Sequence, residues 1–350
     1  MYTSISMHKD ALEESKSPPR RSAMFQERIF RVMCLAVLLV VSFAGQAFAA
    51  PKAIRIGYLV ADQLHSPAMM VMKEKKLLEA AGIAVQWRAF LNGTYAMQDL
   101  TWGSVDFASC DAIPIMRTHA RGVKLSILAG ANEEGSSLVV GPSIKTIKDL
   151  DGKRIGTPGG DTTQDAVLRQ LAKEHDIQVK RVSMKVADMP LFLQKREIDG
   201  FIAWAPHPSR SIEHLVGHEL LTSHDMVPGH QCCVLVTKAS TLRDDPETVK
   251  TLLKVYLDAY RWFLDNQEES IRLLVKNIGM SEAVIRQALQ TVTYSYPPYC
   301  NEASLQRMAR HLLATDAIPP MGDEGLTPFL SSLYRPELLE QVSGTGRPRP

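Results

Sequence analysis

After residue 52, apolar residues recur at every second position, then at helical spacing, then at every second position again. Residues 53–60 predict a strand that runs into Ser66-Pro67. Serine there suits a helix N-cap and proline the first helical position. Met69, Met70 and Met72 carry that helix to about Leu78, Gly82 ends it, and residues 83–90 predict a second strand. A strand–helix–strand start argues for a mostly parallel α/β sheet. Leu91-Asn92-Gly93-Thr94 then turns into another helix, which holds Met97, Leu100 and Trp102 and closes at Gly103. Residues 105–110, 125–129 and 137–140 predict further strands, with a polar loop at 132–136.

The stretch 149–175 repeats the plan. Residues 153–156 predict a short strand, and Thr157-Pro158-Gly159-Gly160 a turn. A helix follows, with Val167, Leu168 and Leu171 on its apolar side and Thr162 or Thr163 where it begins. A glycine-rich turn entering a helix aims free backbone N–H groups outward, and the helix dipole favours an anion there. The turn lacks the Lys-Ser/Thr of a Walker A loop, and no Gly-x-Gly-x-x-Gly occurs. Strand, helix and strand recur at 179–186, 189–195 and 198–204. Four histidines fall between 214 and 230, and 231–237 predicts a strand. From Asp245-Pro246 onward the pattern is helical, broken at 294–299, and residues 341–350 are expected to be a disordered tail.

The first 49 residues change the picture. Arg28 and Arg31 precede an uncharged apolar run from Met33, which ends in Ala47-Phe48-Ala49. That is the layout of a secretory signal with a small-residue cleavage site, so the expected product is an exported chain beginning near Ala50. Taking the segment's six basic and four acidic residues from the chain's 40 and 38 leaves 34 of each. A neutral chain gives no electrostatic case for nucleic acid or an anionic membrane surface. Cys110, Cys232, Cys233 and Cys300 lack zinc-framework spacing. Strand alternation predicts Cys232 and Cys233 on opposite faces. No Gly-x-Ser-x-Gly and no His-Glu-x-x-His occurs, and no cofactor motif is present.

Ile54-Arg55-Ile56-Gly57-Tyr58, residues 73–83, Gly103-Ser104-Val105-Asp106-Phe107-Ala108, residues 149–156, Arg196-Glu197-Ile198-Asp199-Gly200 and Trp204-Ala205-Pro206 follow one another in a telling order. Together, over roughly 52–290, they resemble the periplasmic solute-binding proteins of nitrate, sulfonate and taurine ABC importers. The resemblance implies a two-lobed type II periplasmic-binding-protein fold with two hinge-crossing strands and a helical C-terminal region. Lobe one would be 50–140 plus 237–340, and lobe two 141–236. The ligand would lie between the lobes, and closure would be a hinge motion. The chain departs from the family where Ala205 stands in place of a common glutamate, and no arginine matches an acid clamp.

The implied function is a periplasmic, monomeric receptor without catalysis. It would capture a small oxyanion or organic sulfonate or carboxylate and hand it to an ABC permease and its ATPase. The expected ligand-binding residues are His65, Ser66, Thr94, Cys110, Ser136, Thr162, Thr163, Trp204 and His230. Soft sulfur beside imidazole keeps a metal or metal-chelate receptor open as an alternative. The resemblance also extends to thiamin-pyrimidine-synthase-like enzymes, which the export signal argues against.

Overall fold

The computed structural model describes residues 53–160 and 162–345; the predicted export signal, Asp161 and the last five residues lie outside them. Two five-stranded sheets share one plan. The first comprises β1 (Ile54–Leu59), β2 (Val85–Phe90), β3 (Phe107–Asp111), β4 (Leu125–Gly130) and β11 (Cys233–Lys238), in the order β2-β1-β3-β11-β4. The second comprises β6 (Ser136–Val140), β7 (Arg154–Thr157), β8 (Lys180–Ser183), β9 (Gly200–Trp204) and β10 (His218–Thr222), in the order β10-β6-β9-β7-β8. In each, four parallel strands flank an antiparallel one, β11 or β6, that has arrived from the other sheet. The crossings themselves are short. The outgoing one contains β5 (Glu133–Glu134), and Glu133 bridges to Gln231 of the returning one.

Alternation along the strands explains why both faces of each sheet are covered. Leu138, Val140 and Ile202 face α5 (Thr163–Glu174) through Val167, Leu168 and Leu171; Val139, Phe201 and Ala203 face α6 (Met189–Gln194) on the other side. On the first sheet, α1 (Pro67–Glu74), α10 (Pro246–Asp265), α11 (Gln267–Ile278) and α12 (Glu282–Leu289) bury Ile56, Leu128 and Leu235. The opposite face packs against α3 (Gly93–Trp102), α4 (Ala112–Ala120), α13 (Glu302–Ala314) and α14 (Asp323–Leu333). The short helices α2 (Leu77–Ala80), α7 (His207–Glu213), α8 (Ser223–Met226) and α9 (Ala239–Asp244), with α15 (Pro336–Ser343), complete the set. The single helix expected over 67–78 is in fact two, because Lys76 sits at φ 52° and ends the first. Among the described residues no helix is long and apolar enough to cross a membrane.

Candidate functional site

The parallel strands of both sheets end toward one another, where open α/β sheets place their ligands. The ends are joined by direct hydrogen bonds. The Trp204 indole N–H donates to the Ala61 carbonyl at 3.1 Å, and His207 Nε2 to the same oxygen at 3.3 Å. Asn92 Nδ2 donates to Pro158 O at 3.2 Å. The Thr163 N–H donates to Asp111 Oδ2 at 3.1 Å, and the Thr163 hydroxyl stands 3.4 Å from the same oxygen.

Asp111 is buried at the end of β3, directly before α4. Its carboxylate takes the N-terminal N–H of α5, the place where a ligand anion was expected. Its Oδ1 lies so close to Gly93, at the start of α3, that a Cβ there would meet it at 2.3 Å. Burial and the nearby Cys232 sulfur push the Asp111 carboxyl up to about 7, although the Thr163 N–H pulls it down.

Thr162 is the N-cap of α5. Its hydroxyl accepts from Asp165 N at 3.3 Å and donates to Gly159 O at 2.9 Å. Ser136 Oγ accepts from Gln164 Nε2 at 3.0 Å, which ties the start of β6 to α5. Ser66 occupies the N-cap position of α1 but makes no capping bond, because its hydroxyl lies 2.7 Å from that of Ser109. Thr94 lines a separate surface cavity with Gln98, Arg117 and Arg121. Cys110 is wholly buried in the core under α3 and α4, and burial pushes its thiol well above the usual range.

His65 and His230 both stand beside Cys232 at the returning crossing, His230 in hydrogen bond with its sulfur. His65 Nδ1 is 2.5 Å from Asp62 Oδ1, and both side chains are buried. Burial alone would lower the pKa of His65, but Asp62 and the Cys232 sulfur outweigh it and raise it to about 9. Cys232 and Cys233 are free thiols with Sγ atoms 3.9 Å apart, packed with Ala131. The expectation that they face opposite ways fails because Cys232 precedes β11, in the crossing, where period-two alternation does not apply. The hydrogen bond from Cys233 holds the Cys232 thiol well below its ordinary pKa, against burial and with help from His65. Gln231 braces the turn: its Nε2 donates to Asn132 O at 2.9 Å and Cys233 O at 3.0 Å. From behind, the Tyr256 and Tyr260 hydroxyls of α10 donate to Gly130 O and Ala131 O, both at 2.8 Å. Among the described residues no group of three His, Cys, Asp or Glu side chains is arranged to hold a metal ion.

Several polar atoms near these strand ends are buried without a hydrogen bond: Thr157 Oγ1, Gln164 Oε1 and His207 Nδ1. Burial lowers the His207 pKa to about 4. Two cavities flank the region. One of about 420 Å3 lies beside Ala61, His207 and Arg210; the other, of about 590 Å3, reaches His230 between α5 and α13. Sequence reasoning missed Asp62, Asp111 and Gln164, and it missed the contribution of α13. Only Asp111 carried a local sign, an aspartate at a strand end before an apolar helix.

The profile of the NMT1-like family matches residues 48–279. A candidate binding protein of Brucella abortus (strain 2308) is 27% identical over 267 residues, covering 74% of this chain and 81% of that one. A candidate aliphatic sulfonates-binding protein of Escherichia coli (strain K12) is 25% identical over 304 residues, covering 83% and 93%. Among solved structures, the zinc-bound ligand-binding component of an ABC-type import system from Staphylococcus aureus superposes with a TM-score of 0.71. It shares 20% identity, over 84% of this chain and 100% of that one, and so shares the fold.

Proposed function

The chain belongs to the NMT1-like family, and from that premise we propose that it is the solute-binding receptor of an ABC importer, exported to the periplasm. It captures a small organic anion between its two sheets and delivers it to the membrane permease and ATPase without transforming it. The observation that carries this reading is the pair of matching sheets whose strand ends face one another across buried, unbonded polar atoms. A polar atom buried without a partner costs stability, and a solute that bonds it recovers that loss. The names of the relatives, aliphatic sulfonate binding and ABC import, agree. In this reading recognition rests on imidazole and amide groups and on enclosure.

The test is calorimetric titration of the chain from Ala50 with sulfonates, carboxylates and nitrate, alongside thermal unfolding. A solute at a hundred times its Kd adds about 2.7 kcal/mol to stability. A clear upward shift in Tm with one anion, recovered chemically unchanged, supports the receptor. Conversion of the solute, or no shift with any anion at millimolar concentration, overturns it.

A further inference from the structure

Cys232 and Cys233 are neighbours in the chain whose side chains also meet. Their sulfurs stand 3.9 Å apart, and Cys233 Sγ lies 3.8 Å from Asp62 Oδ2. Both are buried at the returning crossing. His230 is hydrogen-bonded to the Cys232 sulfur, and the charge of His65, held by Asp62, draws the same sulfur toward the thiolate. A thiolate beside imidazole with a second thiol against it is the arrangement that thiol oxidation uses. Cys110 and Cys300 are also buried, but in the apolar core under α3 and α4. Burial pushes the Cys110 thiol well up, which makes it a poor nucleophile. The backbone of the pair is fully used. The Cys232 N–H donates to Asn132 O and the Cys233 N–H to Asn132 Oδ1, both at 3.1 Å, and the Cys232 carbonyl takes the Ala112 N–H at 2.9 Å. These bonds tie the returning crossing to the outgoing one and to the start of α4.

We propose that Cys232 and Cys233 form a thiol-oxidation site, at which a peroxide converts the two adjacent thiols to a disulfide. Burial excludes a protein as the oxidant and leaves a small, uncharged one. With its proton on His65, the Cys232 sulfur attacks one peroxide oxygen. The O–O bond breaks, and the leaving hydroxide takes the proton from His65 and departs as water. The Cys233 sulfur then attacks the Cys232 sulfur, the S–O bond breaks, and the Cys233 proton leaves with the hydroxyl as a second water. The two thiols lose two electrons in all, and one peroxide gains them. The sulfurs must close from 3.9 Å to about 2.05 Å, and a bridge between adjacent residues twists the peptide that joins them. That peptide carries the Cys232 carbonyl and the Cys233 N–H, so oxidation loosens the crossings where the two sheets are joined. The site stands whichever solute the receptor takes.

The experiment is thiol counting by alkylation and peptide mass mapping, after hydrogen peroxide is added to the reduced chain from Ala50, both folded and unfolded in urea. The folded wild type is expected to lose two of its four thiols. The peptide holding Cys232 and Cys233 should become lighter by two hydrogens and resist alkylation until dithiothreitol is added, while Cys110 and Cys300 stay alkylated. Cys233→Ser should stop at a sulfenic acid on Cys232, trapped by dimedone, and His65→Gln should slow the wild-type loss at least tenfold. The oxidised wild type should melt at least ~3 °C below the reduced form. Four surviving thiols in the folded chain, oxidation at Cys110 or Cys300 in place of the pair, or a bridge that forms as fast in urea overturns the site. An unchanged Tm overturns its link to the crossings. Should a variant not fold, the comparison of folded and unfolded wild type decides alone.

Discussion

At the scale of single residues, His65 has a chemistry far from what its letter suggests. It is fully buried yet carries a pKa of about 9, because the Asp62 carboxylate stands 2.5 Å away. The folded chain therefore holds this proton more tightly than the unfolded one, whose histidine titrates at about 6.5. Stability from this group is complete below pH ~6.5 and is lost as pH rises through about 9. Buried His207, lowered to about 4, acts on the other side: its contribution is complete above pH ~6.5 and is lost as pH falls through about 4. Urea unfolding measured from pH 6 to 9.5 should show a falling midpoint in the wild type and a flatter profile in His65→Gln. A midpoint that rises over that window would contradict the buried ion pair. Gly135 belongs to the same arrangement. It holds φ +89° in the outgoing crossing, and a Cβ there would lie 2.1 Å from His65 Nε2, so only glycine fits.

Among the elements, α5 shows how one helix start can serve two demands. Thr162 caps it, and Asp165 in its first turn is held by Arg181 at 2.7 Å and Arg169 at 3.2 Å. Another of its N-terminal N–H groups, at Thr163, goes to Asp111 of the other sheet. Thr162→Ala removes the cap and should cost about 1 kcal/mol of stability. A direct ligand role would instead appear as weakened solute binding at unchanged Tm, and thermal unfolding with titration separates the two. The helix pattern of 163–174 was legible because its apolar positions recur at i, i+1 and i+4. The break at Lys76 was not, because a left-handed residue other than glycine leaves no sign in a hydropathy pattern.

For the whole molecule, the question is what holds the two sheets together. Asp111 to Thr163, Asn92 to Pro158, and Trp204 with His207 to Ala61 are each modest bonds in isolation. Of these, only the Asp111 bond brings a carboxyl to a helix N-terminus, where charge assistance makes it the strongest once the group ionises, above a pH of about 7. Asp111→Ala should therefore shift the receptor toward an open arrangement, read as a larger radius of gyration in solution scattering that contracts again when a binding anion is added. An unchanged radius in the variant would mean that closure rests on the Trp204 side.

The sequence by itself determined the elements, the two repeated strand–helix plans and the family to which the chain belongs. These follow from local periodicity, glycine and capping positions, and short motifs in order along the chain. It also singled out His65 and His230 as residues of interest. Only the tertiary structure decided which groups use which partners. Asp111 claims a helix terminus 52 residues away, and α13, from the far C-terminal end, supplies Met308 and Arg307 to the wall of a cavity based on His230. The two cysteines face each other because one of them lies outside the strand. Such pairings depend on the register in which two sheets meet, a property of packing across long sequence separations that no local pattern encodes.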